Sequence, residues 1–381
     1  MNFKEVHKKI LKALEDEDLR KGAFKSTKDE QEKRISAMQK RPYVKQWTSD
    51  VKKAKENTLK DINSAISNFR NSFEGDKKYF YFAKDAEELN KTVLKIIGQG
   101  KLVVKSKSMV GEESELRIFL EKNGITVFET DLGEFLIQLS GEKPAHMVAP
   151  AFNMTILKIK RLLEPVVNEK LEDPTSIVLS VRRFLREKFF SADVGIIGAN
   201  ALSADTGSIV FVTNEGNGAL TSVLPKKLIV ITSVEKIYST LVEALKAVSV
   251  QTVYNGADYT TYIHVINGPY NTENYGPNEI HLILVDNGRI RDDYLKETMY
   301  CVKCGACQLS CPVFQVIDGA WGHIYTAAIG VAWTYITGPK EKARALSEFC
   351  LECGRCKEVC PMQIDIPEII RKIKIEDKPA I

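Results

Sequence analysis

All eight cysteines of the chain fall in two runs of one spacing: Cys301, Cys304, Cys307 and Cys311, then Cys350, Cys353, Cys356 and Cys360. Each run reads C-x2-C-x2-C-x3-C-P, closed by Pro312 or Pro361. In the two-cluster bacterial pattern, three thiolates spaced in this way wrap one face of an iron–sulfur cubane and the fourth binds the other cluster. The spacing therefore predicts two [4Fe-4S] clusters, the first held by Cys301, Cys304, Cys307 and Cys360, the second by Cys350, Cys353, Cys356 and Cys311. The proline stops any helix and turns the chain just after its ligand.

Other uses of cysteine fit less well. Structural zinc takes four ligands, usually as pairs across a longer gap, and leaves the evenly repeated triplets unexplained. Disulfides need an oxidising compartment, and the chain opens without the apolar leader of a secreted protein. Inert buried cysteines would not be confined to two matching runs. Between Cys311 and Cys350 lie 38 residues, more than a short ferredoxin of small β-hairpins needs. The lobe resembles instead the helical two-cluster domain of respiratory iron–sulfur subunits. Its apolar run, 325–333, is too short to cross a bilayer and is expected to pack as a helix between the clusters, ahead of Pro339 and a second helix over 341–349.

The rest of the chain must position that lobe. Its 381 residues suffice for two or three domains, and 44% hydrophobic with 27% charged residues is a soluble globular profile. A formal charge of +4 gives no reason to invoke nucleic acid, and no transmembrane segment is evident. The first 75 residues carry 18 Lys and Arg against 12 Asp and Glu, so the basic excess sits at the N-terminus. There Val6, Ile10, Leu11 and Leu14, and later Leu59, Ile62, Ala65, Ile66 and Phe69, recur at helical spacing, with a break at Arg41-Pro42. Residues 1–78 read as a helical region packed on the next domain with a solvated basic face. A docking surface for a partner subunit or for an acidic membrane is the alternative.

From about Tyr79 strands alternate with helices. The segment 102–105 reads as a strand, 112–123 as a helix stopped by Gly124, and 126–129 as the next strand of a βαβ unit. Asp173-Pro174 starts a helix with Ile177, Val181, Phe184, Leu185 and Phe189 inward. Further strands are predicted at 194–197, 208–213, 228–232, 262–266 and 280–285. The alternation implies a largely parallel sheet covered on both faces, placed at 79–296, with the cysteine lobe at 297–381. The fold class is α/β, with an N-terminal helical region and a C-terminal α-helical two-cluster domain.

Two loops of the α/β domain carry candidate ligand groups. Lys105, Ser106, Lys107 and Ser108 leave a strand just before a helix, where amide, hydroxyl and ammonium groups suit an anion. Glu112 and Glu113 follow in the first turn, favoured by the helix dipole but opposed to a phosphate, which leaves a small carboxylate or no ligand. The run from Thr213 through Asn214, Glu215, Gly216 and Asn217 to Gly218 leaves another strand, with Gly195, Gly198, Asn200, Asp205 and Gly207 upstream. So many small residues suggest backbone that approaches something closely, or plain turn chemistry. Neither G-x-G-x-x-G nor G-x-x-x-x-G-K-[ST] occurs, so the usual nucleotide fingerprints are absent. Arg289, after the Asn287-Gly288 turn, could clamp a carboxylate, and His281 reads as a locally bonded strand histidine. Lys105, Lys107, Ser108, Asn214, Asn217 and Arg289 are thus the candidate ligand-binding residues.

The runs Lys107-Ser108-Met109-Val110, 129–134, Gly198-Ala199-Asn200 leading to Thr206-Gly207-Ser208, 213–218 and 284–289, with both cysteine motifs, resemble the lactate-utilisation iron–sulfur protein family from about residue 80 to 372. The resemblance implies a LUD-type α/β domain, similar in fold to CoA transferases, joined to a two-cluster ferredoxin domain. It implies a part in oxidising L-lactate, or a related 2-hydroxy acid, to pyruvate, in the cytoplasm or at the inner face of the membrane. The partners it implies are a cysteine-rich-domain protein and a second LUD protein or FAD-linked oxidase. Where that family would place Pro-Ala-Ile-His, this chain has Pro150-Ala151-Phe152-Asn153.

Oxidising a 2-hydroxy acid removes two electrons and two protons, whereas a [4Fe-4S] cluster normally passes one electron at a time. A group that accepts a pair and releases singles, typically a flavin, must stand between them. Nothing in the sequence announces a flavin site, so the flavin is expected on a partner and this chain as the electron-transfer subunit. Lys303, Arg355 and Lys357, inside the motifs, would raise cluster potential, dock a redox partner, or simply be solvated. Two alternatives stand beside this reading. Glu215 resembles the glutamate of CoA transferases, whose carboxylate attacks an acyl-thioester, which would make the α/β domain itself catalytic. The other is a scaffold whose clusters are only structural.

Overall fold

Among the described residues, the aliphatic and aromatic runs in the middle of the chain form ten strands: β1 (Lys78–Ala83), β2 (Leu102–Lys105), β3 (Thr126–Glu129), β4 (Val194–Gly198), β5 (Ala201–Ser203), β6 (Ser208–Thr213), β7 (Lys227–Ser233), β8 (Ile237–Tyr238), β9 (Tyr262–Ile266) and β10 (Glu279–Val285). Six make one wholly parallel sheet in the order β1-β10-β7-β4-β2-β3. Along its central strands side chains alternate between two cores. Ile229, Ile231 and Ile283 pack with Val103, Ile196 and Leu89, while Leu228, Val230, Leu282 and Leu284 join a core that continues into the cysteine lobe. Cover on both faces is what a parallel sheet of such apolar strands requires. The computed structural model describes residues 3–151, 153–257, 260–270, 276–290 and 294–375; Phe152, noted above, lies outside them.

The βαβ unit is parallel as expected, with β2 in register against β3. Its helix is two short ones, Met109–Glu113 and Leu116–Lys122, because Glu115 takes a left-handed conformation (φ 50°) between them. The Glu113 side chain is thereby buried, 2% exposed. Helix Pro174–Ser191 starts as expected, with Asp173 and Ser176 capping reciprocally. Two predicted strands belong elsewhere: β6 and β9 pair antiparallel in a second sheet of order β8-β5-β6-β9, packed on helix Leu241–Asn255. β6 is buried almost throughout, so its pattern is that of a parallel-sheet strand.

The N-terminal region forms four helices, Phe3–Glu15, Glu17–Lys40, Tyr43–Lys60 and Ile62–Phe73, broken at Arg41-Pro42 where expected. Asp16 and Asp61 cap the second and fourth by accepting from the Leu19 and Ser64 amides. These helices act as a clasp. Val44, Val51, Phe69 and Phe73 share one core with the cysteine lobe. Lys55, buried, donates to the carbonyls of Glu235 and Met299, and Gln31 to that of Leu309.

Candidate iron–sulfur centres and the cleft beside them

The two cysteine runs fold as a structural repeat. Lys303 (φ 57°) and Glu352 (φ 54°) take left-handed conformations at matching positions, as do Gly305 (φ 78°) and Gly354 (φ 80°). Each loop is curled so that an amide faces sulfur: Lys303 N–H donates to Cys301 Sγ at 3.3 Å and Glu352 N–H to Cys350 Sγ at 3.4 Å. Hydrogen bonds of this kind stabilise a thiolate and tune the cluster it binds.

Cys301, Cys304 and Cys307 line one hollow together with Cys360 of the other run. Cys350, Cys353 and Cys356 line a second together with Cys311. Helix Ala327–Thr337, buried along most of its length, lies between: Ala328 borders the second hollow and Ile329 the first. Among the described residues no three Cys, His, Asp or Glu side chains stand close enough to hold one metal ion. Burial pushes the thiols up, Cys311 and Cys360 to about 11 and Cys356 to about 12, so only a bound metal ionises them at neutral pH. The second set is the more open, with Cys353 exposed and Cys350 half-buried.

A buried ionic cluster supports the first hollow. Glu235 Oε1 is 2.7 Å from Lys303 Nζ and its Oε2 2.9 Å from Arg289 Nε. Arg289 also pairs with Glu113, which accepts from the Tyr325 hydroxyl and, at 3.1 Å, from Asn287 Nδ2. Lys303 Nζ donates to Tyr325 at 3.0 Å and stands 4.5 Å from the Trp333 ring centre. Burial alone would raise both carboxyls; Arg289 and Lys303 more than reverse it, joined at Glu235 by Lys55, and hold Glu113 below and Glu235 well below the ordinary carboxylate range. Glu113 and Glu235 face Lys55, Arg289 and Lys303, leaving positive charge in excess beside the loop of Cys301 and Cys304. Of the basic residues in the motifs, Lys303 is therefore internal, whereas Arg355 and Lys357 are exposed.

The carboxyl ends of the parallel strands open on a cavity of about 270 Å³. It lies where strand order reverses: from β2 the sheet continues to β3, from β4 the other way to β7. Open α/β sheets bind their ligands at such a switch point. Lys107, Ser108, Asn214, Glu215 and Asn217 line it, so the two loops singled out in the sequence do meet. Lys105 and Arg289 do not join them. Lys105 is buried with Nζ 2.8 Å from Glu129 and 3.5 Å from Glu112, and Arg289 lies in the ionic cluster; both clamp carboxylates of the chain itself. The glycines approach protein: a Cβ on Gly195 would stand 2.0 Å from the Thr221 carbonyl, and one on Gly198 3.1 Å from Ser108. His281 is locally bonded, its Nδ1 3.1 Å from the Tyr81 hydroxyl.

Sequence reasoning missed Lys236, Gln251, Asn255 and Met147. Lys236 follows β7, donates to the Ala199 carbonyl at 2.7 Å, and is pulled down to about 7 by burial and by Lys303. Met147 lines both the cavity and the first cysteine hollow, and Asn255 Nδ2 donates to the Cys304 carbonyl at 3.2 Å. The one available clue was that Glu235-Lys236 directly follows a buried parallel strand. Glu215 is exposed at the mouth, where the cavity meets an apolar groove of about 910 Å³ flanked by Arg182 and Arg186.

A parallel α/β domain joined to a lobe with two four-cysteine hollows defines a LUD-domain protein with a two-cluster iron–sulfur module: residues 66–285 match the LUD domain and 297–364 the 4Fe-4S dicluster domain. Lactate utilization protein B of Anoxybacillus flavithermus is 33% identical, over 98% of this chain and 81% of its own length. That of Bacillus subtilis is 34% identical, over 94% and 77%. The chain belongs to the lactate utilization protein B family. Among solved structures, a DUF162 family protein from Deinococcus radiodurans aligns with a TM-score of 0.33 at 14% identity, over 61% of this chain and 98% of that one. No helix among the described residues is long and apolar enough to cross a membrane.

Proposed function

We propose that this chain is the iron–sulfur electron-transfer subunit of a multi-subunit oxidoreductase that converts L-lactate, or a related 2-hydroxy acid, to pyruvate. The substrate class comes from the name its relatives carry. The observation that supports the electron-transfer role is the pair of hollows, each lined by three cysteines of one run and the fourth of the other, with a single buried helix between them. Cys301, Cys304, Cys307 and Cys360 would hold the first cluster, and Cys350, Cys353, Cys356 and Cys311 the second. Bound there, each supplies one-electron transfer. The chain encloses the first site, turns amides toward sulfur at both, and leaves the second at its surface. A group that accepts an electron pair is still required, and a flavin on a partner subunit meets that need; a cysteine-rich-domain protein with a second LUD protein or FAD-linked oxidase would complete the assembly.

Anaerobic purification should give about eight irons and eight sulfides per chain. L-lactate should then reduce both clusters only when the partner subunits are added. Zinc in place of iron, or clusters that lactate and partners together leave oxidised, would end this reading. Glu215, exposed at the junction of cavity and groove, favours a second one, acyl-thioester chemistry in the LUD domain. Absence of thioester exchange in the parent chain, with lactate oxidation intact in Glu215→Gln, removes it.

A further inference from the structure

We infer that the cavity at the β2/β4 switch point is a binding site on this chain for a small 2-hydroxy or 2-oxo carboxylate, with the amines of Lys107 and Lys236 in its walls and the loop that carries Lys303 beside it. The inference rests on the proposed role in 2-hydroxy-acid oxidation and deepens it by placing the acid beside the first cluster site.

Lys107 carries the argument. Its Nζ is sealed from solvent and has no hydrogen-bond partner, a costly state for an ammonium group. Desolvation pulls it down, and Glu134, Asp131 and Glu112 act on it only through space. None of these carboxylates lies within ion-pair distance, unlike those of its neighbour Lys105. Lys107 lines the cavity, and a carboxylate that meets its Nζ as the side chain turns inward supplies the missing acceptor. On the other side Lys236, half-buried, spends one N–H on the Ala199 carbonyl and keeps the rest.

Of the remaining lining, the neutral side chains fit the rest of such a molecule, while the carboxylates Asp131 and Glu215 stand where the cavity meets the groove. Asn200, Gln251 and Asn255 are neutral hydrogen-bonding groups suited to a hydroxyl or ketone oxygen. Asn200 and Gln251 are held in place by each other, Nδ2 to Oε1 at 2.8 Å. At about 270 Å³ the space itself suits a ligand of a few heavy atoms, being below the range of roughly 300–1,000 Å³ usual for drug-sized ligands. Asp131, Glu215 and Asn217 line both this cavity and the adjoining groove, so the groove is the way in. Met147 lines both the cavity and the first cysteine hollow, and Lys303 in the cavity wall lies between Val302 and Cys304 of that hollow.

The test is calorimetric titration of the anaerobic, cluster-loaded chain with pyruvate, L-lactate and, as a separate arm, inorganic phosphate, followed by EPR of the reduced protein. Saturable binding of pyruvate or L-lactate is expected, weakened at least tenfold in Lys107→Gln and within a few-fold of the parent in Lys107→Arg, with iron content equal in all three. The ligand should shift the EPR signal lost in Cys360→Ala and leave the one lost in Cys311→Ala unmoved. Failure of both acids to bind a chain whose two clusters are intact and redox-active overturns the site while leaving the electron-transfer reading standing. Clusters that cannot be reduced, in a chain that still binds the acids, do the reverse. Phosphate binding as tightly as the carboxylates, or unchanged affinity in Lys107→Gln, also overturns it.

Discussion

One side chain organises the buried charge beside the first hollow. Glu235 contacts Lys303 and Arg289 through its carboxylate and Lys55 through its carbonyl, all of them buried. Removing one partner of such a group leaves uncompensated charge in the interior, so Glu235→Gln should cost about 3–5 kcal/mol in urea unfolding of the cluster-loaded chain. The sign of its pH dependence follows from the lowered carboxyl. The stability it lends is complete above its ordinary value of 4.5 and is lost as pH falls through the lower folded value. The difference between parent and variant should therefore narrow only on the acid side. Little of this was legible in the sequence: apart from its place after a buried strand, Glu235-Lys236 has the look of a solvated pair, and nothing separates Lys303, 4% exposed, from Arg355 and Lys357. The cysteines were legible because ligand spacing is local and thiolate chemistry tolerates few substitutes. Their crosswise grouping gives a sharper test. Cys360→Ala should remove the first cluster, not the second beside which it lies in sequence, lowering iron from about eight to about four per chain, and Cys311→Ala should do the opposite.

At the scale of elements, helix Ala327–Thr337 matters most. A run apolar on every side has no solvent face and must be buried, which is why a helix near 325–333 could be expected between the cluster sites. Neighbouring residues on it address different hollows, Ala328 the second and Ile329 the first. Ala328→Leu puts extra methyl groups into the second hollow at a cost of about 1–3 kcal/mol. Loss of the second cluster's EPR signal with the first retained is expected; loss of both together would mean that the helix does not divide the two sites. The break inside 112–123 was not legible, since Glu-Glu-Ser-Glu contains neither Gly nor Pro. It arises from a tertiary demand, that Glu113 reach Arg289 and Tyr325. The second sheet escaped for a related reason: a short strand buried on both sides, as β6 is, carries no record of which neighbour it pairs with or in which sense.

At the scale of the whole molecule the order of the relay follows from enclosure. The N-terminal helices, the second sheet and the cysteine lobe share one core, and the first hollow sits inside that junction, with Lys303 and Met147 between it and the cavity. The second is at the rim, where Cys353 and Leu351 are exposed. Transfer to an outside acceptor falls off with the thickness of protein between donor and acceptor, so the second cluster should be the exit. In stopped-flow oxidation of the fully reduced chain by a small dye, the signal lost in Cys311→Ala should decay first and the signal lost in Cys360→Ala should follow through it. In Cys311→Ala the first cluster would then have no relay, and its oxidation by the dye should slow many-fold although its own ligands are untouched. A first cluster that is oxidised at the parent rate in that variant would mean that the dye reaches it directly and that the second cluster is not its exit.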